Sequence, residues 1–315
     1  MSLSFVQPPA RSNWPQKGTA SYEAPETPAC LRVCIPPCVV RERARDSKYI
    51  LYAKDNDGDE NFNVYAVDPS AKPAPGADAP PSRDLTGLKG VRVQIYEVPK
   101  SDPDVVYIGL NDRDKAWHDL YRLKISAGTR ELVRKNTERI TGWVFDNKGQ
   151  LRMAMRSAEN GDTEMLRVDA DAFIKVYSCS VFESCRPLQF QPGDQRLYVE
   201  TNKDADLTAL ELLDPQTGKT ELVESDPLGK VDFSGALFSE ATDELVETWY
   251  IAARVKTYYK SKAFGDDVHW IEDERWTWAV LFLRTPRVRI RSSPACRWGW
   301  ATTQPSATSM YRPRR

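Results

Sequence analysis

The chain has 315 residues, 41% of them hydrophobic and 28% charged, with a formal net charge of −1. So near-neutral a balance sets up no global field for nucleic acid or an anionic membrane, so neither is expected as a partner. No apolar run approaches the roughly 18 residues that a membrane-spanning helix needs.

Residues 1–44 form an irregular segment rich in proline and cysteine, with Pro8, Pro9, Pro15, Pro25, Pro28, Pro36 and Pro37 and the cysteines Cys30, Cys34 and Cys38. The opening MSLSFVQPPARSNWPQKG lacks a basic stretch followed by an apolar one, so no export signal is legible and cytoplasm is the default expectation. The three cysteines are spaced too widely for a zinc knuckle and lack a fourth ligand, so no metal site is assigned to them.

From residue 45 to 292 the pattern changes to short β-rich runs broken by Asp, Asn, Gly and Pro turns, the signature of an all-β fold. Four stretches repeat: KYILYAKDNDGDENFNVYAVD (48–68), DVVYIGLNDRDKAWHDLYRLKI (104–125), QLRMAMRSAENGDTEMLRVDA (150–170) and QRLYVETNKDADLTALELLD (195–214). Each reads as a strand, a polar tip and a second strand. Tyr65, Tyr121, Leu166 and Leu210 fall at matching places, 56, 45 and 44 residues apart. Turn-forming RDSK, KSDPD, DNKG and QPGD precede the four units, and KISAGTRELVR and LDPQTGKTELVE each add a Gly turn and a further strand. A weaker fifth hairpin is DELVETWYIAARVKTYYK (243–260). A period near 45 residues, with several strands per unit, predicts a β-propeller whose four-stranded blades bury their faces against one another. Five legible units make the expected propeller partial or irregular. Residues 293–315 lose the alternation and end basic.

The acidic tip DNDGDEN resembles a calcium loop but fails that template. With Gly58 at the sixth position, the first and twelfth positions fall on Ala53 and Val64, which cannot ligate. Turn chemistry accounts for the acidic and amide residues of all four tips. The two histidines are His118, beside a hairpin strand, and His269, in the acidic run DDVHWIEDE. His118 is expected to pack in a blade or lie on its surface, and the carboxylates around His269 to form a solvated charged turn. Cys179 and Cys185 flank SVFES closely enough to meet across a turn, and a bond between them needs oxidising surroundings. Trp270, Trp276 and Trp278 cluster in HWIEDERWTW as expected packing residues, with a sugar or peptide subsite as the alternative. RVRIRSS (287–293) suits a strand with one basic face better than a nucleic-acid patch.

The stretches 45–68, 84–95 (DLTGLKGVRVQI), 106–133, 142–157 and 195–227 resemble the N-terminal propeller of prolyl oligopeptidase-family serine peptidases, in the dipeptidyl aminopeptidase or acylaminoacyl peptidase branch. The resemblance covers about residues 45–293, and DGDEN and LNDRD are its more specific tips. It implies a propeller that gates peptides toward an α/β-hydrolase domain carrying a Ser–Asp–His triad on a G-x-S-x-G elbow. No G-x-S-x-G occurs in this chain, so no catalytic residue carries over, and no cofactor or metal is expected. The hydrolase domain is therefore expected to be absent from this chain, and the Pro-, Cys- and Arg-rich flanks suggest a frameshifted or truncated reading frame. The expected function is a substrate-gating propeller, inactive alone, whose partners are peptide substrates or a hydrolase domain; members of that family are also periplasmic. The alternative is a non-catalytic propeller scaffold for a protein or peptide partner, with a carbohydrate-binding propeller as a third reading.

Overall fold

The computed structural model describes residues 40–45, 48–55, 58–170 and 172–273. They form nineteen strands and one helix, arranged as five consecutive antiparallel sheets. The first holds β1 (Val40–Arg43), β2 (Ile50–Lys54), β3 (Asn63–Val67) and β4 (Ser82–Asp84). The second holds β5 (Val93–Glu97), β6 (Val105–Leu110), β7 (Asp119–Lys124) and β8 (Thr129–Arg134). The third holds β9 (Ile140–Phe145), β10 (Leu151–Ser157), β11 (Thr163–Asp169) and β12 (Ala172–Cys179). The fourth holds β13 (Cys185–Phe190), β14 (Leu197–Thr201), β15 (Ala209–Leu213) and β16 (Thr220–Glu224). The fifth holds β17 (Phe233–Phe238), β18 (Leu245–Ile251) and β19 (Val255–Tyr259). Every sheet is an up-and-down meander in chain order, as propeller blades are, and no described strand of the first sheet pairs with one of the fifth. The chain is an irregular β-propeller of five blades among the described residues, four of them four-stranded.

The repeated hairpins of the sequence are the second and third strands of the blades: β2–β3, β6–β7, β10–β11 and β14–β15, joined by β18–β19. Their burial explains their apolar wording. All five residues of β3 are buried, because a central strand has a neighbouring blade, or the blade's own packing, on both faces. The outer strands β8 and β16 are almost wholly exposed, and their sequences, TRELVR and TELVE, are correspondingly charged. The wider first interval of 56 residues comes from the proline-rich connection 68–81 between β3 and β4.

Each seam between successive blades holds its own apolar cluster. Leu51, Val64 and Ala66 of the first blade pack with Val106, Ile108 and Leu123 of the second. Leu120 meets Ile140, Trp143 and Leu166 across the next seam. Met153, Met165 and Tyr177 meet Phe190, Leu197 and Val199 across the third. Leu210 meets Phe233 and Tyr250 across the fourth. Burying each such side chain contributes about 1.5–3 kcal/mol.

Polar pins fasten the crossovers from one blade to the next. Two residues before the matched positions Tyr65, Tyr121, Leu166 and Leu210 stand Asn63, Asp119, Glu164 and Thr208. Asn63 accepts from the Thr86 hydroxyl at 2.8 Å and donates to the Leu88 carbonyl at 3.1 Å. Asp119 takes a two-pronged bond from Arg113, both prongs at 2.7 Å, and accepts the Asn136 N–H at 2.7 Å. Asn136 in turn bonds the N–H and carbonyl of Ile140, where the third blade starts. Thr208 N–H donates to Asp232 at 2.8 Å. Glu164 departs from this pattern: it holds Arg156 and Lys175 of the strands beside it.

The third crossover is also closed covalently. Cys179, at the end of β12, is bonded to Cys185, at the start of β13, and both are buried in the seam cluster. The pairing that their spacing allowed is therefore present.

The turns KSDPD, DNKG and QPGD, together with Ser239–Glu244, link the first and second strands of their blades, and with Arg45 they approach one another. Arg45 donates from Nε to the Val98 carbonyl at 2.8 Å and from Nη1 to Glu240 at 2.7 Å, joining the first blade to the second and fifth. Lys100 pairs with Asp243. Asn147 donates its N–H to Asp194 at 3.0 Å, joining the third blade to the fourth. Gly149 has φ +76°, and a Cβ there would sit 2.5 Å from Pro99 Cβ, so the second and third turns approach this closely only with glycine.

Two features differ from expectation. The first strand, Val40–Arg43, precedes residue 45 and pairs with β2. The acidic run around His269, expected as a charged turn, is the helix α1 (Lys262–Asp273). Its start is capped by Ser261, whose Oγ accepts the Phe264 N–H at 3.3 Å and whose carbonyl accepts the Gly265 N–H at 3.0 Å. Lys262 and Asp266 pair one turn apart, and Gly265 and Val268 are buried, with Gly265 against the Tyr259 ring. Among the described residues, no helix is long and apolar enough to cross a membrane.

Two predictions test this architecture. Asp119→Ala leaves Arg113 and the Asn136 N–H without their partner and is expected to cost about 2 kcal/mol in chemical unfolding. Burial pushes the Asp119 carboxyl up, but Arg113 and the Asn136 N–H outweigh it and hold it below its usual 3.8. A pKa depressed on folding gives stability that is complete above about pH 4 and lost as pH falls through the folded value. Asp119→Ala should accordingly flatten the acid limb of a stability–pH profile. A Cys179→Ser/Cys185→Ser double variant is expected to lose about 2 kcal/mol relative to the oxidised protein, and to match the wild type once both are assayed with a thiol reductant.

Candidate functional site

The first strands of the second, third and fourth blades, β5, β9 and β13, share one irregularity. Each skips a residue in its pairing with the next strand: Tyr96 on β5, Thr141 on β9 and Leu188 on β13, and β17 repeats it at Ser234. Such bulges turn side chains out of strict alternation. As a result neighbours such as Tyr96 and Glu97, or Pro187 and Leu188, line one cavity of about 230 Å³. Gly142, Trp143, Val144 and Phe145 of β9 form its middle wall, with Met155 behind them.

The lining side chains are mostly apolar and aromatic, but the surface they leave open is more polar than apolar. Phe145 lies against Tyr107 with ring centroids 4.6 Å apart, and Trp143 packs towards Phe173 at 6.1 Å. Trp143 is buried, and its indole N–H has no hydrogen-bond partner among the described residues. The Tyr96 hydroxyl donates to Gln94 at 2.8 Å, and burial pushes its pKa above the usual tyrosine range. The Tyr96 ring lies across Gly109, where a Cβ would come within 2.6 Å of it. Glu97 is the carboxylate of the cavity. Burial raises its pKa, Arg45 pulls it down and Glu240 pushes it up again, with a net upward shift.

A larger groove of about 490 Å³ runs between the outer strands of the third and fourth blades. Its charges are largely answered locally: Lys203 stands 4.7 Å over the Tyr177 ring, and Lys175 pairs with Glu164 at 3.1 Å. The inner cavity is therefore the stronger candidate site.

The residues singled out in the sequence do not assemble into a catalytic group. His118 is half-buried beside β7, where burial and then Arg92 lower its pKa, and it packs within its blade near Gly109. His269 is exposed on α1, edge-on to the Tyr259 ring at 5.2 Å. Asp59 of the acidic tip accepts the N–H of Asn61 at 3.0 Å, and Asp55 that of Glu60 at 3.4 Å, as turn residues do. Among the described residues no group of three or more His, Cys, Asp or Glu is placed to hold a metal ion. Cys30, Cys34, Cys38, Trp276, Trp278 and RVRIRSS lie outside the described residues. Sequence reading missed Tyr96 and Glu97. The signal was present in QIYEVPK, where an aromatic and an acid stand side by side and break the alternation of the strand.

No protein-family model matches the chain. It is 31% identical over 262 residues to dipeptidyl aminopeptidase BIII of Pseudoxanthomonas mexicana, an alignment covering 77% of this chain and 36% of that protein. It is 33% identical over 126 residues to dipeptidyl peptidase family member 6 of Caenorhabditis elegans, covering 37% of this chain and 15% of that protein. Among solved structures, TolB from Acinetobacter baumannii is similar with a TM-score of 0.43 at 12% identity, over 71% of this chain and 52% of that one. The chain spans about a third of the length of the dipeptidyl aminopeptidase it matches.

The cavity wall doubles as seam packing. Trp143→Ala is expected to lower stability by about 3 kcal/mol in urea titration, and Trp143→Phe by clearly less, because the phenyl ring keeps most of the contact with Phe173.

Proposed function

We propose, from the chain's kinship over its propeller region with dipeptidyl aminopeptidases of the prolyl oligopeptidase family, that it is the substrate-gating propeller of such a serine peptidase. The observation that carries the reading is the alignment covering 77% of this chain, most of which the structure describes as successive blades. In this role the propeller, proposed to run from β1 to residue 292, binds and orients extended peptides and excludes folded proteins. Hydrolysis needs a nucleophile, a base and oxyanion donors in one place. This chain has no G-x-S-x-G elbow and only two histidines, His118 and His269, which serve packing and surface positions. The proposal assigns the chemistry to an α/β-hydrolase domain, and these residues supply the entrance.

The reading is tested by complementation. The chain alone is expected to leave dipeptidyl-anilide substrates intact. Mixed with a separately produced hydrolase half of the related dipeptidyl aminopeptidase, it is expected to co-elute in gel filtration and to raise anilide hydrolysis at least tenfold over that half alone. Failure to co-elute and to stimulate at stoichiometric excess overturns the proposal.

A further inference from the structure

We propose that the end of the propeller carrying the blade-to-blade crossovers is an interface with a second copy of this chain, anchored by Phe182. Among the described residues, six large apolar side chains are more than half exposed, and five of them stand at this end of blades three to five: Val181, Phe182, Leu228, Ile251 and Val255. Single exposed apolar residues are ordinary, whereas five on neighbouring elements form a patch that marks a contact. Phe182 is 93% exposed, yet its loop is firmly held. The Cys179–Cys185 bond closes it. The Ser180 N–H donates to the Glu183 carboxylate at 2.8 Å, and the Glu183 N–H to the Ser180 carbonyl at 3.0 Å. The same carboxylate accepts the Asp204 N–H at 3.0 Å, and Asn202 Oδ1 accepts the Ser184 N–H at 2.6 Å. An aromatic ring presented on so fixed a loop loses little conformational freedom when it docks, which is what an interface anchor requires.

The elements that carry the patch adjoin one another. The tip of the fourth blade, 202–208, is clasped by both crossovers: by Glu183 and Ser184 at its start, and at its end by Asp232, which accepts the Thr208 N–H at 2.8 Å. Leu228 lies in that second crossover. Ile251 and Val255 pair at the turn of the fifth blade, and the Ile251 N–H reaches Ser234, just beyond the crossover, at 3.0 Å. Phe182 thus flanks the tip on one side, and Leu228, Ile251 and Val255 on the other. A two-fold axis along the tip sets Phe182 of each copy against that group on the other copy, the reciprocal contact of an isologous interface. The charges point to the same partner. Lys203 stands beside Asp204 on the tip, and Lys256 of the fifth blade acts on Asp226 of the second crossover. Signs so mixed complement their own copy under the two-fold, whereas a uniformly charged partner meets repulsion. The acidic tips with Asp59 and Glu60 and with Asp112 and Asp114 belong to the first and second blades, two or more blades from the axis. The contact uses only residues of the blades, so the inference does not depend on the peptidase reading.

The experiment is sedimentation velocity of the full chain over roughly 1–100 µM. The wild type is expected to pass from one to two chain masses as concentration rises. Phe182→Asp changes a side chain that the fold leaves in solvent, and places a charge in the apolar contact. It is expected to raise the dissociation constant about tenfold or more. Leu132→Asp, on the outer strand β8 of the second blade, makes the same change away from the patch and is expected to leave association unaltered. A wild type that stays monomeric throughout overturns the proposal. So does a dimer that Phe182→Asp, with wild-type circular dichroism, leaves undiminished, or one that Leu132→Asp weakens as much. A chain that is monomeric alone but binds the separately produced hydrolase half through Phe182 assigns the patch to that domain, and overturns the proposal too.

Discussion

The structure depends on one constraint: a four-stranded blade with apolar residues on both faces of its central strands cannot satisfy both faces by itself. β3, buried along its whole length, shows the demand most plainly. The solution is serial. Each blade covers one face of the next, and the four seam clusters run from Leu51 and Val64 at one end to Phe233 and Tyr250 at the other. Stability in such a stack is close to a sum of neighbour terms, so anything that fixes the angle and spacing of adjacent blades acts on the whole. That gives Asn63, Asp119 and Thr208 their importance. They stand where the third strand starts and reach the crossover that enters the next blade, converting a flexible link into a fixed offset.

The same constraint shapes the candidate site. The innermost strands have to converge, and at close quarters regular alternation would send every second side chain into its neighbour. The bulges at Tyr96, Thr141, Leu188 and Ser234 relieve this by turning side chains sideways along the wall. A cavity lined by adjacent residues is the result, and Glu97 enters it beside Tyr96 because of that extra residue. Inner turns bound through Arg45, Lys100 and Asn147 hold the strand ends in place. The packing that completes the core and the geometry that opens a site are one arrangement.

The sequence reveals the parts of this that are regular. The four central hairpins are legible because alternating apolar runs end at Asp, Asn and Gly, and those hairpins carry most of the burial. The turns RDSK, KSDPD, DNKG and QPGD are legible too, though not their mutual approach, which rests on single contacts such as Gly149 against Pro99. The inner strands are hard to read because their bulges break the alternation. α1 is hidden by its acidic wording: the run around His269 looks solvated until Ser261 is seen as a cap and Gly265 and Val268 as its buried face. The pins were written in the sequence as well, two residues before Tyr65, Tyr121 and Leu210, but a polar residue at a strand start reads as a turn until its partner is known.

The bond between Cys179 and Cys185 sets one seam apart from the others under mechanical load. When blades are drawn apart along the chain, a crossover pinned only by hydrogen bonds pays out its full length once the pins yield. Between the third and fourth blades the five residues from Ser180 to Ser184 are short-circuited by the disulfide, so tension passes from β12 to β13 without that slack. The stack is thus unevenly jointed: its third and fourth blades are tied more tightly than the other neighbours.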